Sequence, residues 1–282
     1  MKLERIAVVG AGTMGHGIAQ VLAASGCQVA LTDVSASAVD TALSKIAASL
    51  ERFCQKGAIS QADKTATLDR LYPAGALSEL ADRQIVIEAA SENEAIKRQI
   101  FQDLDHHCPP DTILASNTSS IPLTRIAAWT RRPAQVIGMH FMNPVPLMPL
   151  VEVIRGLATS DAVWQAVMTL ARQAGKTPVT VMDAPGFVSN RILMPMINEA
   201  AFALYERVAN AEDIDTVMKL GMNHPMGPLA LADLIGLDTC LSIMDVLYRE
   251  FRDSKYRACP LLTQMVAAGR LGKKSGQGFY IY

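Results

Sequence analysis

Two groups of residues in this chain have types and spacing suited to chemistry. Gly10-Ala-Gly12-Thr-Met14-Gly15 sets three glycines at the G-x-G-x-x-G spacing. A backbone turn needs that spacing when it must be tight and must approach a pyrophosphate with no Cβ in the way. Asp33 closes the apolar run Gln28–Thr32. An acidic residue there accepts hydrogen bonds from ribose hydroxyls and repels a 2′-phosphate, so the pattern implies NAD rather than NADP. Further on, His140 follows a second apolar segment. An imidazole, with an ordinary pKa of about 6.5, suits a base that takes a hydroxyl proton as hydride leaves a secondary alcohol. A carboxylate on its other ring nitrogen would fix the tautomer and stabilise the imidazolium.

The elements that must position these groups can be read from periodicity. Ile6–Val9, the glycine turn, and Ile18, Val21 and Leu22 at helical spacing read as strand, turn and helix. Ser35 then caps an amphipathic helix to about Cys54, and Ala62–Leu71 reads as another helix, so a third strand, Gln84–Glu88, arrives too late for a plain crossover. An inserted helical pair with its own task is expected between them. After Glu88 come a helix over Glu94–His106, a strand over Thr112–Ser116, a short helix near Pro122–Ala128 and strands at Gln135–Gly138 and Leu150–Ile154. A helix over Asp161–Ala174 and a strand at Val179–Val181 complete the series. Such alternation implies a mainly parallel, doubly covered sheet. Beyond Pro185-Gly186 only long apolar-periodic segments remain. The expected architecture is therefore α/β: a Rossmann-like doubly wound sheet with a helical-pair insertion over residues 1–184, then an all-α domain over 185–282.

Composition narrows the function classes. With 26 Lys+Arg against 27 Asp+Glu the formal net charge is -1, which argues against nucleic acid, because counterion release needs a surplus of cations. Lys2 and Arg5 precede a stretch from Ile6 through Thr32 with no charged residue, superficially a signal peptide or membrane anchor. Its glycines, with His16, Gln20 and Gln28, fit neither, and the chain is read as cytoplasmic with no membrane partner. Five widely spaced cysteines without a Cys-x-x-Cys pair indicate neither a disulfide framework nor a metal site. Of 14 methionines, 12 lie at or beyond Met139, so the second half is expected to fill its interior with thioethers and aliphatics.

Several motifs occur in a fixed order: Gly10-Ala-Gly-Thr-Met-Gly-His-Gly-Ile-Ala19, Ser116-Asn-Thr-Ser-Ser120, His140-Phe-Met-Asn-Pro-Val-Pro146, Val151-Glu-Val153 and Pro185-Gly-Phe-Val-Ser-Asn-Arg191. The likeness continues through Met226-Gly-Pro228, Gly236-Leu-Asp238 and Gly272-Lys-Lys-Ser-Gly-Gln-Gly-Phe-Tyr280. Over essentially its whole length the chain resembles the short-chain L-3-hydroxyacyl-CoA dehydrogenases, including the bacterial 3-hydroxybutyryl-CoA dehydrogenases. Met142, where a Phe is common, and Ser189, where a Val is usual, are departures that remove no functional group.

The resemblance implies a reaction and its residues. Glu152 becomes the carboxylate partner of His140, while Ser119 and Asn190 become the polar groups around the reacting C3 oxygen and the thioester carbonyl. Gly10, Gly12, Met14, Gly15, Asp33, Glu92, Lys97, Ser119, Asn143 and Lys274 are implied contacts of NAD. Ser49 and Lys56, with Ser119, are implied contacts of the acyl-CoA substrate. The helical domain is implied to dimerise and to close the substrate cleft.

Each residue also has a plain structural reading: His140 as a packed residue after a strand, Asn-Thr-Ser-Ser as a polar turn, and Asn190 as a helix-start cap. Glu92 and Lys97 read equally as first-turn charge and solvated surface, and Ser49 and Lys56 as an ordinary helix exterior. Two other functions share the scaffold. One is an L-gulonate 3-dehydrogenase-like enzyme acting on a small polyol acid. The other is a non-catalytic NAD-binding structural protein of the lens-crystallin kind.

Overall fold

The computed structural model describes residues 3–282; Lys2, one of the two basic residues ahead of the uncharged run, lies outside them. Chain contacts divide it into two units that meet at Ala184 and Pro185. The first unit runs β1 (Arg5–Val9), α1 (Thr13–Ala24), β2 (Gln28–Thr32), α2 (Ala36–Gln55), α3 (Gln61–Leu68), β3 (Leu71–Pro73), β4 (Ile85–Glu88) and α4 (Glu94–His107). It continues with β5 (Ile113–Ser116), α5 (Leu123–Ala127), β6 (Val136–Phe141), β7 (Leu150–Arg155), α6 (Asp161–Gln173) and β8 (Thr177–Met182).

These strands form one sheet of order β3-β2-β1-β4-β5-β6-β7-β8, parallel throughout except between β6 and β7. The chain winds outward from β1 through β2 to β3, then returns to the other side of β1 with β4. The strand order therefore reverses between β1 and β4, and in such sheets ligands bind outside the strand ends at that point. Both β1 and β2 are buried after their first residue. A charge in either would lie in the core without a partner, which accounts for the uncharged run. Burying each aliphatic side chain there contributes about 1.5–3 kcal/mol.

Three sequence expectations need correction. Leu71 does not end a helix; it begins β3, a three-residue edge strand paired with Val29–Leu31. So short a strand has no readable period, and its edge position tolerates Pro73. Ser35 stands at the start of α2, but its hydroxyl pairs with that of Ser37 at 2.8 Å rather than capping a backbone N–H. His140 lies within β6, not after it, because the strand continues to Phe141 through its pairing with β7. Gly138, which had read as the strand's end, is there for packing: a Cβ would lie 2.8 Å from Ile154 Cβ.

The insertion after β2 is braced internally. Ser60 and Asp63 form a reciprocal capping box at the start of α3, and Lys64 reaches Glu51 of α2 at 2.6 Å. The second unit consists of α7 (Ser189–Tyr205), α8 (Ala211–Gly221), α9 (Pro228–Ile235), α10 (Leu237–Phe251) and α11 (Pro260–Ala267), with short 3-10 turns. Its core contains Met194, Met244 and Met265 among Ile197, Leu237 and Leu247. Met222 is 61% exposed, so methionine there is only partly core filler.

Candidate active site

The glycine turn leaves β1 at the switch point. Gly10 adopts φ +103 and donates its N–H to Thr32 O at 2.8 Å. A Cβ on Gly10 would stand 2.6 Å from Ala89 O, and one on Gly15 would stand 1.7 Å from Gly10 O, so the protein's own backbone excludes a side chain at both. Gly12 differs, since a Cβ there would meet nothing within 4 Å. It faces open space at the start of α1, which has no side-chain cap and therefore offers its first-turn N–H groups to an anion. Met14 is half-buried and packs on the core beneath this turn. Asp33 ends β2 with Oδ2 accepting from Ala11 N at 2.7 Å, so it pins the turn as well as presenting a carboxylate beside it. Open space at Gly12, an uncapped helix start and an acid at the end of β2 fit a dinucleotide.

Further along the carboxyl end of the sheet, the β6–β7 register sets His140 directly opposite Glu152. Directly opposed residues point to the same face, so the side chains meet: His140 Nδ1 lies 2.8 Å from Glu152 Oε2. Their residues are 8% and 2% exposed. A carboxylate acceptor requires the hydrogen on Nδ1, which leaves Nε2 as the nitrogen that takes a proton.

Between these two sites lies a network of carboxylates, an ammonium and hydroxyls. Asn93 caps α4 by accepting from Ala95 N and Ile96 N, which places Lys97 one turn inside the helix, facing β4. Lys97 is not solvated: its side chain is 1% exposed, and Nζ bonds Glu88 Oε1 at 2.6 Å and approaches Glu92 Oε2 at 3.3 Å. Glu92 Oε1 in turn accepts from Thr118 Oγ1 (2.5 Å), Ser119 N (2.9 Å), Ser120 N (3.0 Å) and Ser120 Oγ (2.8 Å). Burial alone would raise the Glu92 carboxyl, but the Lys97 ammonium and these donors outweigh it and hold it below its ordinary value. Asn117 Oδ1 accepts from Phe141 N at 2.9 Å, tying the Ser119 loop to the strand that carries His140. Glu88, Ser116 and Asn117 were missed as site residues, although a Glu ending an otherwise apolar strand is a readable signal.

Ser49 and Lys56 line a cavity of about 460 Å³ between α2, α1 and the Pro144–Leu147 turn. Lys45 and Arg52 join them there, with Phe53 as an apolar wall and His16 across from it. Positions 45, 49, 52 and 56 follow the three- and four-residue steps of one helix face, so the spacing contained the two extra cations. Asn143 is exposed in the turn after β6. The other two residues belong to the second unit. Asn190 is half-buried in the first turn of α7, where its N–H bonds Gly186 O at 3.1 Å; Val188, not Asn190, holds the cap position. Lys274 donates to Asp238 Oδ2 at 2.7 Å.

A doubly wound sheet with a glycine turn at its switch point defines a dinucleotide-binding α/β protein. Within that class the chain belongs to the 3-hydroxyacyl-CoA dehydrogenase family. The family's NAD binding domain matches residues 5–184 and its C-terminal domain residues 186–282. The chain is 58% identical over 282 residues to a probable 3-hydroxybutyryl-CoA dehydrogenase of Bacillus subtilis, covering 100% of this chain and 98% of that one. It is 52% identical over 280 residues to the 3-hydroxybutyryl-CoA dehydrogenase of Bradyrhizobium diazoefficiens, covering 99% and 96%. Among solved structures, (S)-3-hydroxybutyryl-CoA dehydrogenase from Ralstonia eutropha superposes with a TM-score of 0.98 at 52% identity, covering 100% of this chain and 99% of that one.

Proposed function

We propose that this chain is an NAD-dependent (S)-3-hydroxyacyl-CoA dehydrogenase that interconverts 3-hydroxyacyl-CoA and 3-oxoacyl-CoA, short chains such as 3-hydroxybutyryl-CoA included. The observation that carries the reading is the buried His140–Glu152 pair at 2.8 Å, at the carboxyl end of the parallel strands where the glycine turn also lies. NAD, when bound, supplies the hydride acceptor or donor. In oxidation His140 takes the 3-hydroxyl proton on Nε2, while Glu152 keeps Nδ1–H in place and stabilises the imidazolium. In reduction His140 returns that proton. Ser119 and Asn190 are the proposed donors to the substrate's C3 and thioester oxygens. Gly10, Gly12, Met14 and Gly15 form the proposed cradle for the cofactor's phosphates, with Asp33 on the ribose. Glu92, Lys97, Asn143 and Lys274 complete the proposed cofactor set.

Ser49 and Lys56, with Lys45 and Arg52 on the same helix face, suit the phosphates of CoA, which favours a CoA thioester over a small polyol acid. We propose further that the enzyme is cytoplasmic and homodimeric. No helix of the described residues is long and apolar enough to cross a membrane. The second unit, which we take as the dimerising domain from residue 185 onward, exposes Val208, Val217, Leu220 and Met222, a supply of apolar surface for a second copy to cover. Steady-state rates with acetoacetyl-CoA, longer 3-oxoacyl-CoA esters and a dehydrogulonate, each with NADH and NADPH, test the reading. Turnover of 3-oxoacyl-CoA with NADH supports it. Turnover of the dehydrogulonate alone overturns the CoA assignment, and a preference for NADPH overturns the role of Asp33.

A further inference from the structure

We infer that Glu88 is a positioning residue that fixes the glycine turn and the Ser119 loop to one another. The inference rests on the reading above, in which that turn and that loop serve one reaction. Glu88 ends β4, between Val9 of β1 and Ser116 of β5 in the sheet register, and is 0% exposed. Its carboxylate holds three groups. Oε1 accepts from Ala90 N at 2.7 Å and from Lys97 Nζ at 2.6 Å, and Oε2 accepts from Ser116 Oγ at 2.7 Å.

Each bond leads somewhere different. Ala89 and Ala90 form the wall against which Gly10 packs, since a Cβ on Gly10 would lie 2.6 Å from Ala89 O and 2.8 Å from Ala90 N. Ser116 Oγ, while donating to Glu88, accepts from Thr118 N at 3.1 Å and so sets the start of the Ser119 loop. Lys97 divides its ammonium between Glu88 and Glu92, and Glu92 gathers the donors of residues 118–120. Two paths thus run from Glu88 to the Ser119 loop and one to the dinucleotide turn.

A buried ion pair is weak evidence of stabilisation, because desolvating two charges offsets most of their attraction. Its geometric consequence here is specific. Without the Glu88 charge, Glu92 is the carboxylate left to the Lys97 ammonium among the described residues, and the attraction pulls Glu92 away from the loop it organises. A Gln at position 88 keeps an oxygen for Ala90 N and Lys97 and presents an N–H to Ser116 Oγ, reversing that bond; what it removes is the negative charge that holds Lys97.

The experiment compares Glu88→Gln and Ser116→Ala with wild type by fluorescence titration of NADH, by hydrogen exchange on peptides spanning 89–93 and 116–121, and by kcat with acetoacetyl-CoA. Circular dichroism checks folding. For Glu88→Gln the expected result is an NADH Kd raised roughly tenfold or more, with faster exchange in both peptides. For Ser116→Ala exchange quickens in 116–121 but not in 89–93, the NADH Kd rises less than in Glu88→Gln, and kcat falls. A purely structural Glu88 would lower Tm and leave Kd and kcat of the folded protein unchanged. Folded Glu88→Gln with wild-type NADH affinity overturns the inference. If that variant does not fold, Ser116→Ala decides at residues 119–121, beyond the Thr118 amide that Ser116 itself holds: unaltered exchange there overturns the inference, and quickened exchange upholds it. Neither the titration nor the exchange uses an acyl-CoA, so failure of wild type to reduce acetoacetyl-CoA would count against the proposed function alone.

Discussion

In the second unit the buried carboxylates are answered chiefly by main chain. Asp215 accepts from Leu229 N and Ala230 N at the start of α9, both at 2.9 Å, and Asp233 accepts from Phe279 N and Tyr280 N, also at 2.9 Å. Tyrosine hydroxyls complete both clasps: Tyr280 donates to Asp215 and Tyr282 to Asp233. Burial, followed by the nearby Asp233 charge, pushes the Tyr282 phenol up to about 12. In the first unit the buried Glu152 is answered by His140, and Glu88 by Lys97 and Ser116 besides the Ala90 N–H, so side chains that carry protons or lead on to loops take the larger share. A carboxylate bound to backbone N–H groups fastens a fold. One bound to a titratable side chain sets where a proton or a loop must be.

The largest effect that sharpens this contrast is expected from Glu152→Gln. It preserves volume but removes the charge that holds Nδ1–H, and should lower kcat by about 10²-fold or more with little change in Tm, read by steady-state kinetics beside thermal melts. Asp233→Ala should do the opposite. Two main-chain N–H groups lose their acceptor, a cost of about 2–4 kcal/mol in stability by denaturant unfolding, while kcat per folded molecule holds. A fall in kcat there would mean that Asp233 does more than fasten the fold.

Smaller effects probe the inserted helices and the loop. Lys56→Ala should raise KM for acetoacetyl-CoA about tenfold and leave KM for a 3-oxoacyl N-acetylcysteamine thioester, which has no phosphates, unchanged. The smallest concerns Glu92. Its carboxyl is held below its ordinary value of 4.5, so its contribution to stability is full above pH 4.5 and is lost as pH falls through the lower folded value. Glu92→Gln should therefore have a flatter stability curve than wild type below pH 4.5, read by unfolding at a series of acid pH values.

Much of the sheet was legible because buried parallel strands read as continuous apolar runs, and Gly10 and Gly15 because close packing leaves one residue type. The motif around Gly276-Gln-Gly278-Phe-Tyr280 was visible only as a likeness. Its physical reason is the Asp233 clasp, since a Cβ on Gly278 would lie 1.9 Å from Asp233 Oδ1. What stayed hidden depends on partners distant in sequence. Lys97 looked solvated because nothing local shows that Glu88 receives it. The His140–Glu152 contact depends on the antiparallel register of β6 and β7, and a slip of one residue would point Glu152 to the other face.

We propose that His140, held by Glu152, is the acid and base of a 3-oxoacyl-CoA reduction. The rate of NADH oxidation on adding acetoacetyl-CoA, measured for wild type and His140→Ala with NADH Kd determined on the same samples, tests it most directly. Wild type should turn over, and the variant should lose about 10²–10⁴-fold at near-equal NADH affinity. Wild-type turnover by His140→Ala, or a wild type that binds NADH and reduces no 3-oxoacyl-CoA, would contradict it.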